Sequence, residues 1–126
     1  MRKSPGHRKW PEHKVEEKQL NQKVQVEIEG EILAESDDVI KVEEDENPDR
    51  YYFPRSDIKM DALEPSETTT ECPFKGIAHY YSLKIGDKRL KDAAWSYEEP
   101  YEEHRGLKDR VAFHDDRIQE LEIRPT

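Results

Sequence analysis

Regular alternation of apolar and polar positions begins at Val24. Val24, Val26 and Ile28 alternate with Gln25, Glu27 and Glu29, a period of two. That period describes a strand with one face on protein and one in water. Glu29-Gly30 interrupts it and Ile32-Leu33-Ala34 resumes it, which predicts a hairpin turning at Glu29-Gly30. Val39, Ile40 and Val42 form a third short strand, and Asp45-Glu46-Asn47-Pro48-Asp49 is a turn by composition. Tyr51-Tyr52-Phe53 is β-prone, and Pro54 confines its end to an edge or a bulge. Asp57-Ile58-Lys59-Met60 reads as another short extended piece, and residues 61–70 as a loop of Ser, Thr, Pro and Glu. From Lys75 to Ile85 the odd positions carry Ile77, His79, Tyr81, Leu83 and Ile85, while the even ones carry Ala78, Tyr80 and Ser82. With both faces partly apolar, this strand is expected at the centre of a sheet.

Beyond the turn at Gly86, residues 90–97 form the return strand, ending in Ala93-Ala94-Trp95-Ser96-Tyr97. Pro100 is placed to open a short helix that Gly106 ends. Residues 111–113 and 118–123 are the last strand candidates. Residues 1–21 lack an apolar period and read as an N-terminal arm that docks through Trp10 and Val15, with room for a helical turn or two at 14–20. Residues 22–126 then form a single β-rich domain. Many short strands between turns predict a mostly β fold: a compact sandwich or partly open barrel of antiparallel strands with one short helix.

The chain has 126 residues, enough for one domain. Its hydrophobic share is 33% and its charged share 40%, so the core is thin. Two Trp, six Tyr and three Phe oppose disorder, since disordered chains are poor in aromatics. No apolar run approaches the length of a membrane span, and the first residues have no apolar signal region, which makes a cytoplasmic location the expectation. The net charge of −9 argues against nucleic-acid binding, and the basic start (Arg2, Lys3, Arg8, Lys9, Lys14) reads as a solvated end.

Candidate chemistry is sparse. Cys72 is the one cysteine, so no disulfide forms within the chain. It lies three residues before Lys75, whose ammonium is a candidate to lower the thiol pKa and make a nucleophile; the plain alternative is a buried, inert cysteine. The five histidines and Cys72 show no metal-ligand spacing, so no metal and no cofactor is implied. His79 reads as a hydrogen-bonded core histidine. Asp37/Asp38 and Asp115/Asp116 are adjacent pairs that point to opposite faces of a strand, so neither is a ready acid/base dyad. Asp115-Asp116-Arg117 reads as a turn with a salt bridge. Arg55, after Tyr52-Phe53-Pro54, is placed to clamp a carboxylate or phosphate, or to form an ordinary surface ion pair.

Four motifs resemble one family. Tyr52-Phe53-Pro54-Arg55-Ser56-Asp57-Ile58 is similar to its Tyr-x-Pro-Arg-x-Asp-Val. Residues 70–80, Thr-Glu-Cys-Pro-Phe-Lys-Gly-Ile-Ala-His-Tyr, resemble its Thr-x-Cys-Pro-aromatic-Lys-Gly-x-Ala-x-Tyr. Ala94-Trp95-Ser96-Tyr97 resembles Ala-Trp-x-Tyr, and Asp116-Arg117-Ile118 resembles Asp-Arg-Val. The family is the bacterial domain of unknown function numbered 427, also called nucleotidyltransferase-like, and the Pro5-Gly6-His7 start resembles one of its subgroups. Asp115 and His114 depart from the Pro and the aromatic residue that the family often has there. The resemblance implies a compact β-rich domain with no assigned activity. Nucleotidyl transfer usually needs metal-binding carboxylates at Asp-x-Asp spacing behind a Gly-Ser turn, and this chain has no Asp-x-Asp and has Asp87 after Gly86.

Combining the motifs with the alternation, the odd face of the central strand is expected in the core and the even face in a cleft. The site residues are Cys72 and Lys75 as catalytic candidates, with Tyr52, Arg55, Thr70, Tyr80, Trp95 and Asp116 around a ligand. Cations beside aromatic walls suit a small anionic or planar ligand. The alternative is a non-catalytic structural or interaction module; nucleotidyltransferase-like activity is a lesser one. Both a monomer and a homodimer fit, with no nucleic-acid or membrane partner.

Overall fold

A computed structural model describes residues 2–126. The chain opens with a short helix, α1 (Pro5–Lys9), followed by β1 (Val15–Gln19), β2 (Val24–Ile28), β3 (Glu31–Ser36), β4 (Ile40–Glu44) and β5 (Arg50–Tyr52). Then come β6 (Leu63–Cys72), β7 (Gly76–Ile85), β8 (Lys88–Tyr97), β9 (Val111–Phe113) and β10 (Leu121–Pro125). The described residues form three antiparallel sheets, ordered β1-β4-β5, β10-β2-β3 and β6-β7-β8-β9. The protein is mostly β, as the alternation predicts. The bridge between Phe53 and Val111 joins the first sheet to the third, and that between Ala34 and Ile58 ties β3 to the chain after β5.

The β2–β3 hairpin turns where the sequence places it. Glu29 and Gly30 have φ of 49° and 84°, the left-handed pair that a two-residue turn between twisted strands requires. β7 is central between β6 and β8.

Several expectations are corrected. Residues 61–70 are not a loop: most of them belong to β6, a ten-residue edge strand. Threonines suit a pleated edge, and Pro65 is tolerated there beside an irregularity in the register. Residues 57–60 are not a continuous strand: Asp57 ends one 3-10 turn (Arg55–Asp57), Met60 opens another (Met60–Ala62), and between them Ile58 is extended and makes only the isolated bridge to Ala34. Residues 14–20 are mostly strand β1, paired to β4, rather than helix. The odd face of β7 is not uniformly core. Ile77 is 45% exposed, and an irregularity between Tyr81 and Leu83 shifts the alternation midway. His79 is half-buried rather than a core residue.

Two apolar clusters fill the interior. One holds Val24, Val26, Ile28, Phe53, Leu83 and Phe113 among others, and the second holds Ile40, Val42, Tyr52, Trp95, Tyr97 and Leu107 with Ala78 and Ala112. α1 is docked by backbone and side chain together. Ser4 caps it, its Oγ accepting from His7 N–H at 3.2 Å and donating to the Pro73 carbonyl at 2.7 Å. Gly6 N–H donates to the same carbonyl at 2.8 Å, and a Cβ on Gly6 would lie 2.7 Å from that oxygen. His7 Nε2 lies 2.8 Å from His104 Nε2, and His104 Nδ1 lies 2.6 Å from Glu17 Oε2, a chain of contacts that links α1 through His104 to β1.

Candidate functional site

The second cluster does not close completely. Where β4 and β5 face β7 and β8, a cavity of about 150 Å³ remains. Strand alternation puts Val42 and Glu44 of β4, and Arg50 and Tyr52 of β5, on the face that lines it. Opposite them stand Tyr80 and Trp95, direct partners in the β7–β8 register, with Tyr97 beyond. His114, just past β9, completes the wall.

The rings hold one another. Trp95 Nε1–H donates to the Tyr52 hydroxyl at 3.2 Å, with both side chains buried. His114 lies 4.2 Å from Trp95 and stacks 6.0 Å from Tyr80, centroid to centroid. The Arg50 guanidinium sits 5.1 Å above the Trp95 ring, within cation–π range. It also binds Asp116, with Nη1 donating to Oδ1 at 2.7 Å.

Lys75 enters from the turn between β6 and β7. It is 7% exposed, and its Nζ donates to Glu44 Oε1 at 2.5 Å. The other Glu44 oxygen lies 2.9 Å from His13 Nε2. The cavity therefore carries two cations, each matched to one carboxylate.

Protonation follows from these contacts. Burial by itself would raise the Glu44 pKa, but the hydrogen bonds and charges of Lys75 and His13 outweigh it and hold the carboxyl below its ordinary range. The Arg50 hydrogen bond does the same for Asp116. Burial, with Arg50 and Arg117 nearby, pushes His114 down to about 4, so its ring is neutral at neutral pH. Burial raises the phenol pKa values of Tyr52 and Tyr97, which keep their protons. His114 Nδ1 is buried without a hydrogen-bond partner and lies 3.8 Å from Asp116 Oδ1.

The fold brings together most of the residues picked from sequence. Lys75, Tyr52, Tyr80 and Trp95 line the cavity. Asp116 holds Arg50, and Thr70 Oγ1 lies 3.1 Å from the Tyr80 hydroxyl. The salt bridge expected within residues 115–117 instead joins Asp116 to Arg50, 66 positions away. Cys72 is half-buried and packs against the same cluster.

Arg55 stands apart. It donates to Ser96 Oγ at 3.0 Å and to the Asp109 carbonyl at 2.6 Å. Ser96 alternates with Trp95 and Tyr97, so this contact lies on the opposite face of β8. The cationic role falls to Arg50, which the Arg50-Tyr51-Tyr52 alternation already places on one face with Tyr52. Glu44 shares the Val42 face of β4 by the same alternation, whereas His114 carried no such local signal and only the packing of sheets shows it. Among the described residues no group of three or more His, Cys, Asp or Glu is disposed to hold a metal ion, and no helix is long and apolar enough to cross a membrane.

A family model described as a domain of unknown function (DUF427) matches residues 16–123, most of the chain. The chain belongs to the DUF427 family. The matched span contains every residue that lines the cavity, while α1 and the segment through His13 lie before it. No curated protein matches this DUF427 chain.

Proposed function

We propose that this DUF427 domain binds a small anionic or planar molecule in the cleft between its first and third sheets. The observation that carries the reading is one juxtaposition: a cavity of about 150 Å³ is lined by the Arg50 guanidinium, the Lys75–Glu44 pair, a set of aromatic rings and His114, whose buried Nδ1 has no hydrogen-bond partner. Buried polar atoms are rarely left unpaired, and an unpaired one beside a cavity is a natural contact for a ligand or for the water it displaces. The volume holds about five waters at roughly 30 Å³ each, which suits a small acid or the planar end of a larger molecule rather than a whole nucleoside triphosphate. In this reading the acid group of the ligand competes with Asp116 for Arg50, and its planar part lies along Trp95 and Tyr80. Lys75 is bound to Glu44 at 2.5 Å, so its direct role is to hold that wall. Cys72 is half-buried and packs against the second apolar cluster, which supports binding over covalent catalysis.

The test is a ligand screen by two-dimensional NMR on the labelled chain, with small mono- and dicarboxylates, aromatic acids and inorganic phosphate as probes. The expected result is saturable movement of the Trp95 indole and His114 ring signals by at least one probe, weakened tenfold or more in Arg50→Met. If no probe moves those signals, or if Arg50→Met binds as well as the native chain, the reading fails.

A further inference from the structure

We propose a second, separate site: the groove between α1 and the β4–β5 turn docks an extended, proline-containing basic peptide segment. The groove encloses about 920 Å³. Its floor is Phe74, only 7% exposed and clasped by three rings. His13 stacks on it at 4.4 Å, His7 meets it edge-on at 5.0 Å, and Trp10 lies 6.1 Å away. Trp10 itself is 49% exposed, a large aromatic left in water, with Pro11 and Pro73 beside it. Flat aromatic and prolyl faces of this kind are what polyproline II segments pack on, and such segments come preformed at about 3.1 Å per residue.

Charge selects the partner. The residues that line the open rim include Glu12, Asp45 and Glu46 against one lysine, Lys9, while the exposed Arg8 and Lys14 flank it outside the lining. The Lys9 ammonium already lies 5.3 Å over the Trp10 ring, so the indole face accepts a cation in the free protein. An arginine or lysine of the partner can take that place and reach the rim carboxylates. A phosphate-bearing partner meets repulsion there.

The walls are set before binding. Trp10 N–H donates to Gly6 O at 2.7 Å and His13 N–H to Trp10 O at 3.1 Å. Across the groove Asp45 N–H donates to Lys14 O at 3.0 Å, and Lys14 N–H donates to Asp45 Oδ2 at 2.9 Å. Little ordering is left to oppose association. The groove shares no lining residue with the cleft, so this site does not depend on the cleft reading.

The experiment uses the full chain and a fluorescein-labelled ten-residue peptide of repeating Arg-Pro-Pro, followed by anisotropy. Two further peptides carry Glu for Arg, or Gly for Pro. The Arg-Pro peptide is expected to bind saturably and more weakly as salt rises. The Glu peptide should not bind, and the Gly peptide should bind at least tenfold more weakly. Trp10→Ala, at a half-exposed position, should cut affinity tenfold or more with the far-ultraviolet circular dichroism unchanged. Glu12→Lys, on the surface, should reduce affinity and flatten the salt dependence. Absence of binding overturns the proposal. So does equal binding of the Glu or Gly peptide, or binding that Trp10→Ala leaves unchanged, since that last result means diffuse attraction to an acidic surface.

Discussion

Replacing Glu44 by Gln tests the cleft at its most constrained contact. Lys75 and Glu44 side chains are 9% and 13% exposed, and their charged atoms are 2.5 Å apart. At an effective dielectric of about 20 their attraction is about 6–7 kcal/mol, most of it offset by the desolvation of both ions. The intact pair is therefore close to neutral for stability, but a lone survivor is costly, at about 3–5 kcal/mol. The two survivors are not equivalent. Glu44→Gln leaves the Lys75 ammonium with no anionic partner, for an expected loss of about 3–4 kcal/mol. Lys75→Met leaves Glu44 with His13 at 2.9 Å, so about 2 kcal/mol is expected. The double variant should lose much less than the sum, because no charge is stranded. Urea unfolding at pH 7, read by fluorescence and circular dichroism, measures all three. The Glu44 pKa is depressed in the fold, so its contribution is complete above the ordinary value of 4.5 and disappears as pH falls through the lower folded value. The gap between Glu44→Gln and the native chain should narrow over that acid range. A Glu44→Gln cost under about 1 kcal/mol, a larger loss for Lys75→Met, or additive losses in the double variant would refute the reasoning.

His114 predicts a second pH effect. Its pKa falls from 6.5 to about 4 on folding, so the unfolded chain takes up a proton that the fold rejects, and stability should drop by about 2–3 kcal/mol as pH falls from 6.5 towards 4. His114→Phe keeps the stack and should remove that slope in unfolding measured against pH. Tyr52→Phe strands the Trp95 indole N–H in the core and should cost about 1–2 kcal/mol, with the Trp95 indole proton signal displaced. Gly6→Ala puts a Cβ 2.7 Å from the Pro73 oxygen; limited proteolysis should cut residues 2–13 sooner than in the native chain while the sheets retain their circular dichroism. Unchanged proteolysis would mean that α1 is not held by that contact.

Much of the site was legible because strand geometry is local. Tyr80 and Trp95 sit on strands whose alternation is plain in the sequence, and Lys75 stands in the turn between two strands. Reading the same alternation back from Tyr52 finds Arg50. Arg55 misled because a cation at a strand end carries no label for which face it serves, and the Ser96 contact that claims it is 41 positions away. The Ser4-Pro5 start of α1 carried a capping signal, a serine before a proline at the first helical turn. It was obscured by the surrounding charge, which gives no apolar period to so short a helix.

The strand-rich class, the β2–β3 turn, the central place of β7 and family membership all follow from the order of residues along the chain, since each depends on side-chain period, turn chemistry or a contiguous motif. Tertiary structure alone decided that residues 63–72 pair as an edge strand and that Asp116 answers Arg50 rather than Arg117. It also decided that Glu44 joins His13 to Lys75 and that His114 loses its proton to burial. These outcomes depend on which sheet faces which and on how much water is left between them. A thin core of about one-third hydrophobic residues packs few alternatives tightly, but where its sheets meet imperfectly it leaves a cavity, and the groups that line that cavity are set by packing across the chain rather than by their neighbours in sequence.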